Sequence, residues 1–213
     1  MNAFYLDTEK RNFIDKFLKK DGKTIVWLYA PGYLTDNGFS AEAMSELTGI
    51  NLKEDGNGIK DAFYTDSPLG DRISGKRVGM DNKIGGVRFM VEDSNSVPLM
   101  RYYKTNNVAG ALRVFKDWKS IYLGIPVAFT PDFLQNLAKS AGIHVYNTAG
   151  DMFIHRRDDL ICLHGVAGNE NHISLPYTAN LKDLISGEMI SPEKDIFKVK
   201  LKPGETKLLE IIR

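Results

Sequence analysis

The residues of this chain whose groups could do chemistry are its cysteine, its histidines, its carboxylates and its aromatics. The only thiol is Cys162, and it lies within Leu160-Ile-Cys-Leu-His164, between apolar neighbours, where a buried structural role is expected. The four histidines are His144, His155, His164 and His172. None shows the i, i+4 or x₃₋₅ spacing of a zinc site, and no second cysteine is present, so no metal is expected. If Arg156–Asp159 is a hairpin turn with symmetric flanks, Asp151 falls opposite His164. That geometry serves an oriented Asp–His pair or, more often, a plain cross-strand contact. Glu42, Glu46, Glu92 and Asp93 stand in no motif, so no acid–base pair can be named and no catalytic residue is expected. No glycine pattern forms a phosphate loop, and no cofactor is expected.

Aromatics are the more informative class. Trp27, Tyr29 and Tyr33 surround one turn, and Tyr102, Tyr103, Trp118 and Tyr122 mark later apolar runs. Exposed rings at a rim stack on sugars or anchor interfaces. Core packing is the better reading for Trp27 and Tyr122, whereas for Tyr33 and Trp118 both readings stay open.

The stretch Thr24–Tyr29 is apolar on both faces and runs into Ala30-Pro31-Gly32. Such a run reads as a strand covered on both sides by helices. The loop leaving the carboxyl end of a strand in an open α/β sheet is the usual place for a ligand. The candidate site is therefore Ala30–Asn37, with Tyr29, Pro31, Gly32, Tyr33, Asp36, Asn37 and Trp118 as its binding residues and a carbohydrate as the candidate ligand.

The elements that position this turn can be read from caps. Asp7-Thr8 starts a helix whose stripe is Phe13, Ile14, Phe17 and Leu18 and which ends before Gly22. Ser40 caps a second helix, which stops at Gly49. Ile50–Leu52 and Ala62–Tyr64 could be short strands, and Ser67–Asn82 reads as a long loop. In it Arg72, Lys76 and Arg77 read as scattered surface charge rather than an anion site. Val87–Val91, Leu99–Tyr103, Val108–Phe115 and Lys119–Leu123 read as strands. Thr130-Pro131-Asp132 is a strong helix start, and Ile143–Tyr146 reads as a returning strand. After Asn147 only short strands and tight turns remain. The expectation is a parallel α/β layered domain over residues 1–146 and a small antiparallel β domain over 147–213.

The 213 residues are 43% hydrophobic and 26% charged, enough for a sizeable core. With 28 basic and 27 acidic residues the net charge is +1, which gives no long-range field to attract nucleic acid or an anionic membrane. No apolar run approaches the roughly 20 residues needed to span a bilayer. Met1–Leu6 lacks the basic and apolar regions of a signal peptide, and it reads as a strand entered partway through a longer polypeptide. The cellular location is left open.

Two segments resemble a known family. Trp27-Leu-Tyr-Ala-Pro-Gly-Tyr33 with Ser45-Glu-Leu-Thr-Gly49, and Tyr122-Leu-Gly124 through Ala141-Gly-Ile-His-Val-Tyr146, are similar to the glutamine-amidotransferase-like domain that follows the catalytic barrel in bacterial β-galactosidase-like glycoside hydrolases. Leu163-His-Gly165, Ile173-Ser-Leu-Pro176, Asp183–Glu188 and Pro203-Gly-Glu-Thr206 look like the small β domain ending such enzymes. The resemblance implies a flavodoxin-like trimerisation domain with a non-catalytic role: homo-oligomer formation, or shaping one wall of an upstream catalytic barrel's active site. True amidotransferases carry a Cys-His-Glu triad, and no cysteine of this chain stands at a strand-to-helix elbow. The chain also lacks a barrel of roughly 250 residues, so hydrolase chemistry would lie elsewhere.

Overall fold

The computed structural model describes residues 3–168 and 170–213, so Met1 and Asn2 of the expected opening strand lie outside the described residues. The chain forms two compact units, Met1–Ala141 and Gly142–Arg213.

Unit 1 begins with α1 (Thr8–Phe17), where Asp7 caps the first turn by accepting from the Lys10 amide. Strand β1 (Lys23–Leu28) follows, then a two-residue-per-strand hairpin, β2 (Leu34–Thr35) and β3 (Gly38–Phe39). Helix α2 (Ala41–Thr48) is capped by the Ser40 hydroxyl and ends at Gly49 in the left-handed region (φ 69°). Next come β4 (Leu52–Tyr64), β5 (Arg77–Val91), β6 (Val97–Tyr102), β7 (Val108–Val114) and β8 (Trp118–Leu123). A short 3₁₀ turn at Pro126–Ala128 leads into α3 (Pro131–Ser140), with the Thr130 hydroxyl accepting from the Phe133 amide.

The flavodoxin-like, amidotransferase-like α/β layering expected from sequence is not what forms. The six-stranded sheet runs β1-β8-β7-β6-β4-β5, and only β1 and β8 pair in parallel. Every other pairing in it is antiparallel, and the sheet curls into a half-barrel. The apolar run at β1 suggested a central strand, yet β1 is an edge strand in which only Trp27 is buried. An apolar run records that a strand touches a core; it does not record which neighbour hydrogen-bonds to it. Residues 52–114 supply four strands in succession, which pair antiparallel in the order β7-β6-β4-β5 and leave β1 and β8 as the one parallel pair.

Three smaller expectations change as well. Leu52–Tyr64 is one bulged strand rather than two, and β5 starts at Arg77, inside the expected loop. The remaining connection is pinned by buried Leu69 and Ile73 and by Asn136, which donates to the Leu69 and Asp71 carbonyls at 3.0 and 2.8 Å. Arg72, Lys76 and Arg77 are each paired with a different carboxylate, on Asp71, Asp132 and Asp61. The sheet has a core on each face. One holds Tyr64, Leu99, Ile121 and Phe133 of α3, and the other holds Trp27, Tyr33, Tyr122 and the α2 residues Met44 and Leu47. The polar groups of the second core are matched: Trp27 Nε1 donates to Ser120 Oγ (3.0 Å), and Ser120 donates to the Thr48 carbonyl (2.6 Å).

Unit 2 is antiparallel throughout its described residues. Its strands are β9 (Asn147–Ala149), β10 (Met152–Arg157), β11 (Leu160–Gly165), β12 (Glu170–Asp183), β13 (Met189–Lys200) and β14 (Thr206–Ile212). They are ordered β10-β11-β14-β12-β13, with β9 on β12, around a core that includes Ile161, Leu163, Leu181, Phe197 and Leu209. Ile143–Tyr146 does not return as a strand of the first sheet. It belongs to unit 2, where the Ser174 amide donates to the Tyr146 carbonyl and His144 Nε2 donates to the Ser174 carbonyl, both at 2.8 Å.

Candidate functional site

The parallel pair fixes the site's location. Leu28 and Leu123 are the last paired residues of β1 and β8, so both strands release their loops at the same edge. Between those loops lies a cavity of about 440 Å³, lined by Ala3, Val26, Trp27, Leu28, Tyr29, Pro31 and Pro126. Tyr29 turns the chain out of the strand in the left-handed region, at φ 62°, unusual for a residue with a side chain. Two hydrogen bonds hold it there: its amide donates to the Leu123 carbonyl (2.9 Å), and its carbonyl accepts from the fully buried Tyr122 hydroxyl (2.6 Å). The Tyr29 ring packs edge-on against Phe89, and burial raises its phenol above the usual tyrosine range. Gly86 faces it, where a Cβ would stand 2.7 Å from the Tyr29 oxygen.

Arg11 clamps this loop to both helices. Its guanidinium donates to the carbonyls of Leu6 (3.1 Å), Ala43 (2.9 Å) and Gly32 (2.8 Å). Gly32 has φ 65°, and a Cβ there would lie 2.6 Å from Arg11 Nη2 and 2.9 Å from Leu47 Cδ2. Only glycine fits at that position.

The sequence-derived residues separate into groups. Tyr29 and Pro31 line the cavity, and Gly32 shapes the loop behind it. Tyr33 turns into the core at 6% exposure, stacked on Phe39 (5.1 Å) and edge-on to Phe89 (4.8 Å). Its hydroxyl donates to Glu54 at 2.6 Å, and burial together with that bond pushes its phenol up to about 12. Asp36 and Asn37 form the tip of the β2–β3 hairpin, where Asp36 accepts from the Tyr5 hydroxyl (2.7 Å). Trp118 pairs in register with Lys23, at the other end of β1 from Leu28, roughly 16 Å away at strand rise. There it stacks on Phe115 (4.5 Å). Sequence reasoning missed Ala3, Leu28, Pro126 and Arg11 as parts of this arrangement. The Pro126 contribution depends on the β1–β8 register, which no local pattern announces.

The described residues lining the cavity are apolar or aromatic, and none of them is a carboxylate, thiol or imidazole. They can hold a ligand's apolar face, with the Tyr29 phenol as the ionisable group among them. The other candidates for chemistry stay apart. β10 and β11 are joined by a two-residue turn, so Phe153, not Asp151, lies across from His164, and His164 Nδ1 contacts Thr206 Oγ1 at 2.9 Å. Cys162 is half-buried, with His155 and Leu208 as its register partners. Among the described residues, no cluster of three His, Cys, Asp or Glu side chains could hold a metal ion. None of the described helices is long and apolar enough to cross a membrane.

A curled, mostly antiparallel sheet followed by an antiparallel β unit is an architecture found in solved glycoside hydrolases. The chain superposes on β-galactosidase from Bacillus circulans sp. alkalophilus with a TM-score of 0.65 and 13% identity, over 98% of this chain and 32% of that one. It also matches a GH42 β-galactosidase from G. stearothermophilus (TM-score 0.61, 14% identity, 99% and 31% covered). The cold-adapted β-galactosidase from Rahnella sp. R3 gives a TM-score of 0.61 at 13% identity, with 99% and 31% covered. The chain thus has the fold of about a third of each of these enzymes. No family model matches the chain, and no curated protein matches it by sequence.

Proposed function

We propose that this chain is a non-catalytic assembly module of a β-galactosidase-like glycoside hydrolase. The observation that carries the reading is the asymmetry of the match: 98% of this chain corresponds to only 32% of a β-galactosidase. The fold is that of a portion of such an enzyme. The face available for assembly is on α1. No residue of the helix is fully buried: Ile14 of its stripe packs against the core, whereas Phe13 is 56% exposed and Phe17 is 41% exposed. The two rings pack against each other at 4.8 Å, and Leu18 is exposed next to them. A cluster of large apolar side chains on a helix surface marks a contact site. The occupant is a second copy of the same chain.

Light scattering over a range of concentrations tests this. The wild-type chain should self-associate reversibly, and Phe13→Asp/Phe17→Asp should be monomeric with an unchanged unfolding midpoint. A wild-type chain that stays monomeric at the highest concentrations overturns the assembly role, and hydrolysis of a nitrophenyl galactoside by this chain alone overturns the non-catalytic one. The cavity beside Tyr29 favours a second reading, in which unit 1 binds a galactoside at the end of β1. Galactoside titration should then change the fluorescence of Trp27, which lines the cavity, and Tyr29→Ala should remove the change.

A further inference from the structure

Unit 2 holds a cluster of charged and phenolic groups that neither reading uses. Tyr146, Arg156, Asp158, Asp159 and Arg213 line an open pocket of about 670 Å³, a size typical of small-ligand sites. Arg156 donates to the Tyr146 hydroxyl, to the Tyr177 hydroxyl (2.8 Å) and to the Asp158 carbonyl (3.2 Å). Arg213 donates to the same Tyr177 hydroxyl (3.1 Å) and to Asp159 Oδ1 (2.9 Å). Guanidiniums and rings also stack, with Arg156 5.2 Å from the Tyr146 centroid and Arg213 4.6 Å from that of Tyr177.

The phenols are oriented by these bonds. Tyr5, Tyr33, Tyr64, Tyr102 and Tyr122 each donate their proton to an oxygen of the protein. Tyr146 and Tyr177 only accept, from guanidiniums, so each keeps an O–H with no acceptor among the described residues. The pocket therefore presents the Tyr146 phenol and the unused N–H groups of Arg156, with the Tyr177 hydroxyl bonded to both guanidiniums. Acceptors sit beside them: the Asp158 carboxylate, which is 91% exposed and lies 3.9 Å from Arg157 Nε, and the second oxygen of Asp159. Among the lining residues two guanidiniums and two carboxylates balance, which weakens the pull an anion would need.

From this balance we infer that the pocket binds a neutral saccharide through its hydroxyl groups. A sugar hydroxyl accepts and donates at once, so one hydroxyl can take a bond from a phenol or guanidinium while giving one to an aspartate. The stacked guanidiniums hold these groups in place before the ligand arrives, which lowers the ordering cost. The inference goes beyond the assembly role and does not depend on it.

The test is an NMR titration of the full chain, isotope-labelled, with lactose and with cellobiose, reading signals of Tyr146, Arg156, Tyr177 and Arg213. At least one disaccharide should give saturable shifts confined to these residues. Arg156→Lys should weaken binding by roughly tenfold or more, since a point charge cannot replace the fork. Asp159→Asn should weaken it as well. A ligand at the Tyr29 cavity would shift unit 1 signals instead, so failure here and failure of either reading above are distinguishable. Absence of shifts at these residues with both disaccharides overturns the inference. So does saturable binding of sulfate or galacturonate in place of the neutral sugars.

Discussion

Replacing Arg11 by methionine keeps the aliphatic length of the side chain and deletes the guanidinium that joins α1, α2 and the loop after β1. Three carbonyls lose their donor: those of Leu6, Ala43 and Gly32. A hydrogen bond to a charged group contributes about 1.5–3 kcal/mol, which sets an upper range of about 5–9 kcal/mol for the three. Arg11 is only half-buried, so water can reach part of the vacated space, and the unfolded guanidinium is well hydrated. A net loss of about 2–4 kcal/mol is therefore expected. For a unit the size of Met1–Ala141 this lowers the melting midpoint by roughly 6–15 °C. Trp27 and Trp118 both lie in unit 1, so tryptophan fluorescence follows this unit without interference from the other. Arg11→Lys should restore at most one of the three bonds and fall between wild type and Arg11→Met. A methionine variant within about 0.5 kcal/mol of wild type, or a lysine variant equal to it, would refute the three-way clamp.

Two further outcomes follow from close packing and from burial. Gly124→Ala would place a Cβ 2.8 Å from the Ala109 carbonyl oxygen and 2.7 Å from the Tyr102 hydroxyl; the backbone contact cannot yield, so a loss of about 1–3 kcal/mol is expected in urea unfolding, and an unchanged midpoint would contradict it. Tyr33, raised from 10.0 to about 12, stabilises unit 1 fully below pH 10, and this contribution is lost as pH rises through 12. Tyr33→Phe should accordingly be less stable than wild type at pH 8 by about 1 kcal/mol, with the gap narrowing through pH 10–12, whereas a constant gap would argue against the raised phenol.

What could be read from the residues was local. Asp7, Ser40 with Gly49, and Thr130 with Pro131 each mark a helix end, because a cap is formed by groups within a few residues of one another. The turn after β1 was likewise legible as a loop of interest, and a cavity does open beside Tyr29 and Pro31. Pairing was not legible. The same apolar run fits a central parallel strand and the edge strand that forms, and the choice is made by pairing with β8, its one neighbour in the sheet and distant in sequence. Register then placed Trp118 at the far end of β1 and set Phe153 rather than Asp151 across from His164.

The sequence by itself determined where the three helices start and several of the strand segments, and it supplied one thiol and four scattered histidines. Only the tertiary structure decided which strands are neighbours and in what register. From that came the cavity beside Tyr29, the Arg11 clamp and the Arg156–Tyr177 cluster. The physical reason is range: capping and turn formation act over a few residues, whereas hydrogen bonds between strands join residues tens of positions apart. Their choice is settled by the burial of the whole sheet at once.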